Sequence, residues 1–392
     1  MLIKQTILYP KELQKREISG IDELMKLDCF SYASAAKDLD VLENPRLQEW
    51  RRHSKFVIFG VGGSSLGGQC IQAISKSDNV KFIDNIDPAA LQKTFSEINS
   101  EETGFLCISK SGETLETIHQ VALALDFVEK KKDMFVFITE NKPSTMKKMA
   151  QELDILCLDH PTAVGGRFSV FTIVGMLPAA LCGIDPLKIR FGGKQVLENY
   201  LGEVGKGARF IGESLQKKIT QQVSFIYSDK LAPFGAWLAQ LYAESTGKYG
   251  RGITQLTARG STDQHSQLQL YLDGNGDKCF TFLFENQESG RVPSNKYLPP
   301  TFPYLKGKTT ADIFKAQYAA TMTSLLEKKC SVRKIEIQEI SPEILGALFM
   351  HFMLETVCVC KLMEVNPFDQ PAVDRGKILT KKILSEDADK IR

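Results

Sequence analysis

The sequence has few of the residues that build metal, redox or membrane sites. Its five His are far apart, and its nine Cys include no Cys-x-x-Cys pair, which argues against a zinc ribbon and a thioredoxin-like site. The closest pair, Cys358 and Cys360, lies in a mostly apolar run and indicates buried packing. No stretch reaches the roughly 20 apolar residues that span a bilayer, and residues 1–20 lack the apolar core of a signal peptide. We therefore expect a cytoplasmic protein with reduced cysteines, no metal and no membrane contact.

An excess of charge of either sign is also missing. The 392 residues carry 49 Lys or Arg and 47 Asp or Glu, which gives a net charge of +2. Proteins that bind nucleic acids normally have a large basic excess, so a polyanion is not the expected partner. With 43% hydrophobic residues the chain can bury a real core, and its length is typical of two or three domains.

Strand and helix patterns alternate along the chain in two series. The first runs from a predicted strand at 55–59 to another at 155–158, and the second from a strand at 222–227 to a long apolar helix at 342–363. Such alternation predicts an α/β protein whose parallel sheets carry helices on both faces. We divide the chain into an N-terminal helical segment (1–52, with a helix at 21–27), two α/β domains (53–190 and 200–365) and a C-terminal helix (366–392).

A glycine-rich segment, residues 60–68 (GVGGSSLGG), follows the first predicted strand and leads into a helix. Glycines let the backbone approach a ligand, and free N–H groups at a helix start favour an anion. Asp84 and Asp87 lie about 20 residues further on, as in a dinucleotide site, but Ser65 stands where the third glycine belongs. A tight turn without any ligand is the plain alternative, so this segment does not decide by itself.

A second segment, residues 109–117 (SKSGETLET), also follows a strand and opens a helix. Hydroxyl groups, backbone N–H groups and the positive end of a helix are what a phosphate monoester needs. The alternative is ordinary N-capping by Ser109 or Ser111, but neither has Glu or Gln three residues later to complete a capping box. Thr114 and Thr117 add more hydroxyls than one cap requires. The segment therefore predicts a sugar-phosphate cradle.

Two further segments supply a cation and a carboxylate. Arg167 follows two glycines, and a guanidinium fixed in this way can face a developing negative charge, although a surface ion pair is the commoner role of an arginine. Gln240 and Glu244 are four residues apart on a predicted helix, so their side chains share a face. Glu244 is a candidate general base, and its alternative role is an ion pair with Lys248.

The last two segments contain a histidine and a lysine. His265 closes the polar run GSTDQH, and an imidazole is a side chain suited to proton transfer, although a lone His is more often a bystander. In residues 366–377 (NPFDQPAVDRGK), Gln370 precedes a proline that favours a helix start, and Lys377 lies two turns later. A capped surface helix is the alternative for this segment.

These six segments, in this order, resemble the phosphoglucose isomerase family, and the similarity extends from about Phe56 to Lys377. The resemblance implies two αβα sandwich domains of the sugar-isomerase type, with parallel sheets and helical termini. It implies reversible isomerisation of glucose 6-phosphate and fructose 6-phosphate through a cis-enediolate. It also implies a homodimer with shared active sites, in which the histidine comes from the neighbouring subunit, and no metal or organic cofactor.

The resemblance also implies a role for each matching residue. Glu244 would be the base, Arg167 would stabilise the enediolate, and His265 and Lys377 would open and close the sugar ring. Glu116 would orient the histidine. The residues that would bind substrate are Gly63, Ser64, Ser109, Lys110, Ser111, Thr114, Thr117, Gln240 and Gln370.

Departures from the family pattern and three alternative functions remain. Ala372 and Asp374 stand where the family usually has Gly and Glu, and the chain is shorter than most members. A sugar-phosphate-binding regulator without activity could lose Glu244, Arg167 and His265, and all three are present. Activity on mannose 6-phosphate would depend on the shape of the pocket. A nicotinamide-dependent dehydrogenase would rest on the imperfect glycine motif alone.

Overall fold

The computed structural model describes residues 2–9, 27–34, 37–129, 131–288 and 290–386. The helix predicted at 21–27 lies outside these residues except for Leu27. The strands are β1 Lys4–Tyr9, β2 Lys55–Phe59, β3 Val80–Ile83, β4 Thr103–Ile108, β5 Phe135–Glu140, β6 Leu156–His160, β7 Gln221–Tyr227, β8 Thr254–Arg259, β9 Lys278–Glu285 and β10 Ser331–Ile337.

The helices separate the strands, as the alternating pattern predicts. They are α1 Asp28–Ser31, α2 Pro45–Trp50, α3 Leu66–Ile74, α4 Pro88–Glu97, α5 Leu115–Phe127, α6 Thr145–Glu152, α7 Ile173–Leu181, α8 Pro186–Asn199, α9 Leu201–Gln216, α10 Ala232–Thr246, α11 Asp263–Ser266, α12 Leu268–Asp273, α13 Thr310–Glu327, α14 Pro342–Met363 and α15 Asp374–Glu386.

The first sheet has the strand order β3-β2-β4-β5-β6, and all of its pairs are parallel. Every residue of β4 and β5 is buried, because helices cover both faces of the sheet. The chain leaves β2 toward one edge and β4 toward the other, so a crevice opens between these two strands at their carboxyl ends. The loops that begin at Gly60 and Ser109 follow β2 and β4, and they therefore flank this crevice.

The second sheet has the order β1-β10-β9-β7-β8. Its strands β7 to β10 are parallel, whereas β1 pairs antiparallel with β10 at the edge. The prediction that the chain is helical up to residue 52 is therefore wrong for Lys4–Tyr9. This strand pairs with β10, more than 300 residues away, and covers an edge of β10 that would otherwise be exposed. The α/β prediction with parallel sheets is confirmed.

The long apolar helix α14 lies at the centre of the molecule and packs most extensively on α8. Glycines allow the close approach: a Cβ added at Gly346 would lie 1.9 Å from the carbonyl oxygen of Ile189, and one at Gly192 would lie 1.8 Å from that of Glu343. By length and composition α14 could cross a membrane, but 94% of its most apolar window is buried in this fold. The residues between the two predicted α/β domains, 190–200, belong mostly to helix α8, which is followed directly by α9, and the division into domains stays a prediction.

One ion pair fastens α14 to the second sheet from inside the core. Arg333 of β10 donates to Glu355 of α14 from Nη1 at 2.6 Å and from Nη2 at 2.7 Å, and both side chains are fully buried. The Tyr242 hydroxyl of α10 also donates to Glu355. Arg333 holds the pKa of the Glu355 carboxyl well below its usual range, in spite of the burial that opposes ionisation.

Candidate active site

Arg167 is the centre of the polar cluster that the sequence predicts. It lies in a short 3₁₀ turn, Gly166–Phe171, and is only 2% exposed. Each of its five N–H groups has an acceptor: Ser245 Oγ at 2.9 Å, Glu244 Oε2 at 2.8 Å, Gln370 Oε1 at 2.7 Å, Asp369 O at 3.1 Å and Pro367 O. Burial lowers the pKa of the guanidinium, and the Glu244 carboxylate opposes this effect. Arg167 is therefore a buried, fully oriented cation and not a surface residue.

Glu244 and Gln240 meet on one face of α10, as their spacing predicts. Gln240 Nε2 donates to Glu244 Oε1 at 2.8 Å, while Arg167 occupies Oε2. The Glu244 side chain is still 30% exposed, so a ligand can reach its carboxylate. The alternative of an ion pair with Lys248 is wrong, because Lys248 Nζ bonds the main-chain oxygen of Glu244 at 2.8 Å and not the carboxylate. The carboxylate is thus held in place by two donors and remains accessible.

The glycine-rich loop after β2 brings the two halves of the site together. A Cβ added at Gly63 would lie 2.2 Å from the carbonyl carbon of Gly166, and one at Gly62 would lie 2.7 Å from Gln240 Nε2. Gly62 also has a φ of +58°, which favours glycine. The loop therefore packs directly against the turn that carries Arg167 and against the Gln240 side chain. Gly62 and Gly63 therefore serve this close contact.

The loop after β4 exposes a helix N-terminus surrounded by hydroxyl groups. Thr114 is the N-cap of α5, but its side chain bonds Ser109 Oγ at 2.9 Å and caps no backbone N–H. Ser109 and Ser111 accept N–H bonds from Gly112 and Glu113 inside the loop, so neither caps the helix. The N-capping alternative is therefore wrong. The first N–H groups of α5 remain without a side-chain cap, as an anion site requires.

Three buried groups lie close behind this loop. Lys110 Nζ is 3.5 Å from Glu140 Oε1, and Glu140 is 3% exposed. His160 pairs with Glu140 across neighbouring strands, and burial lowers its pKa to about 4, so it is neutral at pH 7. The Thr117 hydroxyl is buried and has no hydrogen-bond partner among the described residues. The loop thus combines one cation, Lys110, with hydroxyls that a bound phosphate could satisfy.

The structure does not bring every predicted site residue together. His265 is exposed on α11, and no hydrogen bond or ion pair joins its ring to Arg167, Glu244 or Glu116 among the described residues. Lys377 is exposed on α15 and lies 3.0 Å from Asp374 on the same helix. Ser64 is half-buried in the short 3₁₀ turn Gly62–Ser64, beside the Arg167 turn. The roles of His265, Lys377 and Glu116 stay predictions.

Sequence reasoning missed several groups that surround Arg167. Ser245 follows the predicted base directly, and the main-chain oxygens of Pro367 and Asp369 precede Gln370. Lys248 is 8% exposed and lies 3.4 Å from Asp369 Oδ1. Main-chain acceptors leave no trace in residue types, so only the motif position of these residues could have drawn attention to them. Within the described ranges, no group of three or more His, Cys, Asp or Glu side chains could hold a metal ion.

Sequence comparison relates the chain to sugar-phosphate isomerases. A profile of the family described as Phosphoglucose isomerase matches residues 48–392. The chain is 31% identical over 363 residues to a glucose-6-phosphate isomerase from Thermus thermophilus, covering 86% of this chain and 87% of that protein. It is 32% identical over 386 residues to glucose-6-phosphate isomerase from Campylobacter jejuni, covering 93% and 94%. The matched span includes every predicted site residue.

Solved structures share the fold over nearly the whole chain. A hypothetical protein from Thermus thermophilus superimposes with a TM-score of 0.84 at 29% identity, covering 95% of this chain and 92% of that one. A glucose-6-phosphate isomerase from Chlamydia trachomatis superimposes with a TM-score of 0.76 at 21% identity, covering 97% and 81%. The similarity therefore extends across both sheets.

Proposed function

This chain belongs to the phosphoglucose isomerase family, and from that premise we propose that it interconverts glucose 6-phosphate and fructose 6-phosphate by proton transfer between carbons 1 and 2. It is an aldose–ketose isomerase. Such a reaction needs one carboxylate that takes and returns a proton, together with a group that stabilises the oxyanion of the intermediate. It needs neither a hydride carrier nor a metal, and we propose that none takes part.

The observation that carries the proposal is the pairing of Glu244 with Arg167. The carboxylate is oriented by Arg167 Nη1 at 2.8 Å and by Gln240 Nε2 at 2.8 Å, and it is 30% exposed. A base held by two donors on a helix has little freedom to leave its working position, which favours catalysis through pre-organisation. We assign to Glu244 the removal of the proton from one carbon and its return to the other.

Arg167 supports the second requirement, stabilisation of the cis-enediolate. Because all five of its N–H groups already have acceptors, an intermediate must replace one of them. The Gln370 amide oxygen is the most replaceable, since it is neutral and belongs to an exposed residue. A negatively charged substrate oxygen would bind the same Nη1 more strongly than this amide does. The released Gln370 amide would then bind a sugar hydroxyl.

We assign phosphate binding to the loop after β4. Its hydroxyls and the uncapped start of α5 offer donors, and Lys110 adds a positive charge. A Cβ added at Gly60 would lie 3.3 Å from the carbonyl oxygen of Ile108, so the glycine-rich loop lies beside the cradle as well as beside Arg167. The assigned phosphate ligands are Ser109, Lys110, Ser111, Thr114 and Thr117, and Gly63, Ser64, Gln240 and Gln370 would contact the sugar.

Ring opening is assigned to His265 and Lys377, with Glu116 orienting the histidine. Within the described part of one chain, no hydrogen bond or ion pair joins these residues to Glu244. The proposal therefore includes a homodimer in which the neighbouring subunit supplies the histidine. We also propose that the enzyme works in the cytoplasm. Sedimentation equilibrium that shows only monomer at assay concentration would contradict the shared site.

The reaction is tested with fructose 6-phosphate and chelator-treated enzyme in deuterium oxide. We expect glucose 6-phosphate to form and to carry deuterium at carbon 2, because a proton held by Glu244 can exchange with solvent before it returns. Mass spectrometry of the product measures the label. Deuterium at carbon 2 would support proton transfer through a base that exchanges with solvent, whereas the absence of product would refute the proposed activity.

A further inference from the structure

Lys248 occupies a buried position between the two segments that carry the site. It lies just beyond the end of α10, and its side chain is 5% exposed. Nζ donates to the main-chain oxygens of Glu244 at 2.8 Å and Ser245 at 2.7 Å, and it lies 3.4 Å from Asp369 Oδ1. Two N–H bonds of the ammonium group are thus taken by main-chain oxygens of α10, and the Asp369 carboxylate lies within ion-pair distance of the same group. The ammonium group therefore contacts both segments.

Asp369 connects this lysine to Arg167. Its carboxylate faces Lys248, while its main-chain oxygen accepts from Arg167 Nη2 at 3.1 Å. The next residue, Gln370, accepts from Arg167 Nη1. Both cations thus hold the same short segment, one from each side.

The turn that follows α10 also holds the beginning of this segment. Lys248 and Arg251 form an isolated antiparallel bridge, and Arg251 Nη1 donates to the main-chain oxygen of Met363 at the end of α14. The Arg251 guanidinium lies 3.9 Å from the Glu364 carboxylate. Residues 363–369 are therefore anchored at both ends by one turn, and the lysine is the anchor nearer to Glu244.

We propose that Lys248 is a positioning residue of the isomerase site, whose ammonium group fixes the Glu244 end of α10 against the Asp369–Gln370 segment. Glu244 and Gln370 are 126 positions apart in sequence, and each contacts the same Arg167 nitrogen. Their relative position depends on the groups that bridge the two segments. Lys248 touches substrate in no step, so its effect passes through the geometry of the base and of Arg167.

A purely structural role is the competing interpretation. A lysine commonly donates to the last carbonyl groups of a helix and is favoured there by the helix dipole. Such a cap would contribute to stability, but it would leave the turnover of folded enzyme unchanged. The contact with Asp369 distinguishes the two roles, because that residue belongs to the segment that contacts Arg167 and not to α10.

The test compares Lys248→Met with Lys278→Met, a matched loss of a buried lysine. Lys278 is 7% exposed and pairs with Asp277 at 2.6 Å. It is the first residue of β9 and therefore lies at the amino end of that strand. We expect Lys248→Met to lower kcat about 100-fold, since small displacements of catalytic groups have effects of this order. KM should change less than about threefold, because Lys248 has no contact with the phosphate loop; Lys278→Met should keep kcat.

Asp369→Asn provides a second variant that keeps the shape of the contact and removes its charge. We expect kcat to fall about tenfold, in line with the loss of one charge-assisted contact. The double variant should be no slower than Lys248→Met, since the same contact is already lost. If Lys248→Met does not fold, Asp369→Asn decides the question.

The inference rests on the proposed function, and Glu244→Gln separates the two. If Glu244→Gln is inactive while Lys248→Met and Asp369→Asn stay within twofold of wild-type kcat, the positioning role is wrong and the function stands. If Lys248→Met raises KM without lowering kcat, the positioning role is also wrong. If Glu244→Gln keeps full activity, the proposed mechanism fails first.

Discussion

Among the described residues, two arginine–glutamate pairs have a buried guanidinium, and the surroundings of their carboxylates differ. Arg333 and Glu355 are both fully buried, and the arginine holds both carboxylate oxygens. Arg167 is also buried, at 2% exposure, but it holds only one oxygen of Glu244, which is 30% exposed. The arginines are alike; the carboxylates differ in how much of their surface is left for another molecule.

Helix α10 contacts both pairs from its two faces. Tyr242 donates to Glu355 inside the core, whereas Gln240, Glu244 and Ser245 belong to the Arg167 cluster. A Cβ added at Gly207 would lie 1.7 Å from Glu355 Oε2, so the inner pair has no room for even a methyl group. Chemically similar pairs thus differ in role because one is enclosed and the other opens to solvent. The inner pair accepts a hydrogen bond from the same helix that presents Glu244 of the outer pair.

Glu244→Gln should show the largest effect. We expect kcat to fall by about 10⁴, because the amide cannot accept the proton, while the free energy of unfolding falls by less than in Glu355→Gln, because solvent reaches the Glu244 side chain. A coupled assay and urea unfolding measure the two quantities. Glu97→Gln, which removes a carboxylate from exposed lysine pairs, is the matched control and should change neither. A Glu244→Gln variant with wild-type kcat would mean that the outer pair, like the inner one, has no catalytic role.

Glu355→Gln should have the opposite profile. Leaving Arg333 buried and incompletely paired should cost about 3–5 kcal/mol of unfolding free energy at pH 7, while kcat per folded molecule stays close to wild type. Because the folded-state pKa of Glu355 is depressed, its contribution is present above about pH 4.3 and is lost as the pH falls further. The stability gap between wild type and variant should therefore narrow below about pH 4, as measured by urea unfolding across pH.

The double variant Arg333→Met with Glu355→Leu checks the cause of that loss. Replacing both partners removes two buried charges together, and such replacements are often neutral or stabilising. We expect it to recover most of the stability that Glu355→Gln loses. A double variant less stable than Glu355→Gln would mean that packing and the lost hydrogen bonds of Gln5, Tyr242 and Thr281, and not the unpaired charge, dominate at this position.

The outer pair could be predicted from the sequence, and the inner pair could not. Arg167, Gln240, Glu244 and Gln370 each lie in a segment marked by glycines, helical spacing or proline, and the structure brings them together. Glu355 has a weaker signal: it is the carboxylate within the buried part of α14, where a charge requires a partner. The sequence does not reveal that Arg333 is this partner, because the two meet only when β10 packs under α14.

Sequence patterns gave a wrong prediction, or none, where the interacting residues are far apart along the chain. Strand β1 has no local helical period, and its pairing with β10 is set by the fold and not by neighbouring residues. The main-chain oxygens of Pro367 and Asp369 bind Arg167 through loop geometry, which residue types do not encode. Among the described residues, no hydrogen bond or ion pair joins His265 or Lys377 to Glu244, so their roles stay predictions. Local pattern therefore predicts the members of the outer cluster better than their surroundings.

Tyr242→Phe should produce the smallest effect and is the strictest test of whether the two faces of α10 act separately. The variant deletes one hydrogen bond to the buried Glu355 carboxylate and leaves both bonds from Arg333 in place. We expect a loss of about 1.5–3 kcal/mol in unfolding free energy, the usual contribution of a hydrogen bond to a charged group, with kcat within twofold of wild type. Thermal or urea unfolding and the coupled assay give both numbers. A large fall in kcat would mean that the inner pair sets the position of Glu244 through α10. The two faces of the helix would then not act separately. A stability loss with unchanged kcat would instead show that the inner pair stabilises the fold without setting the position of Glu244.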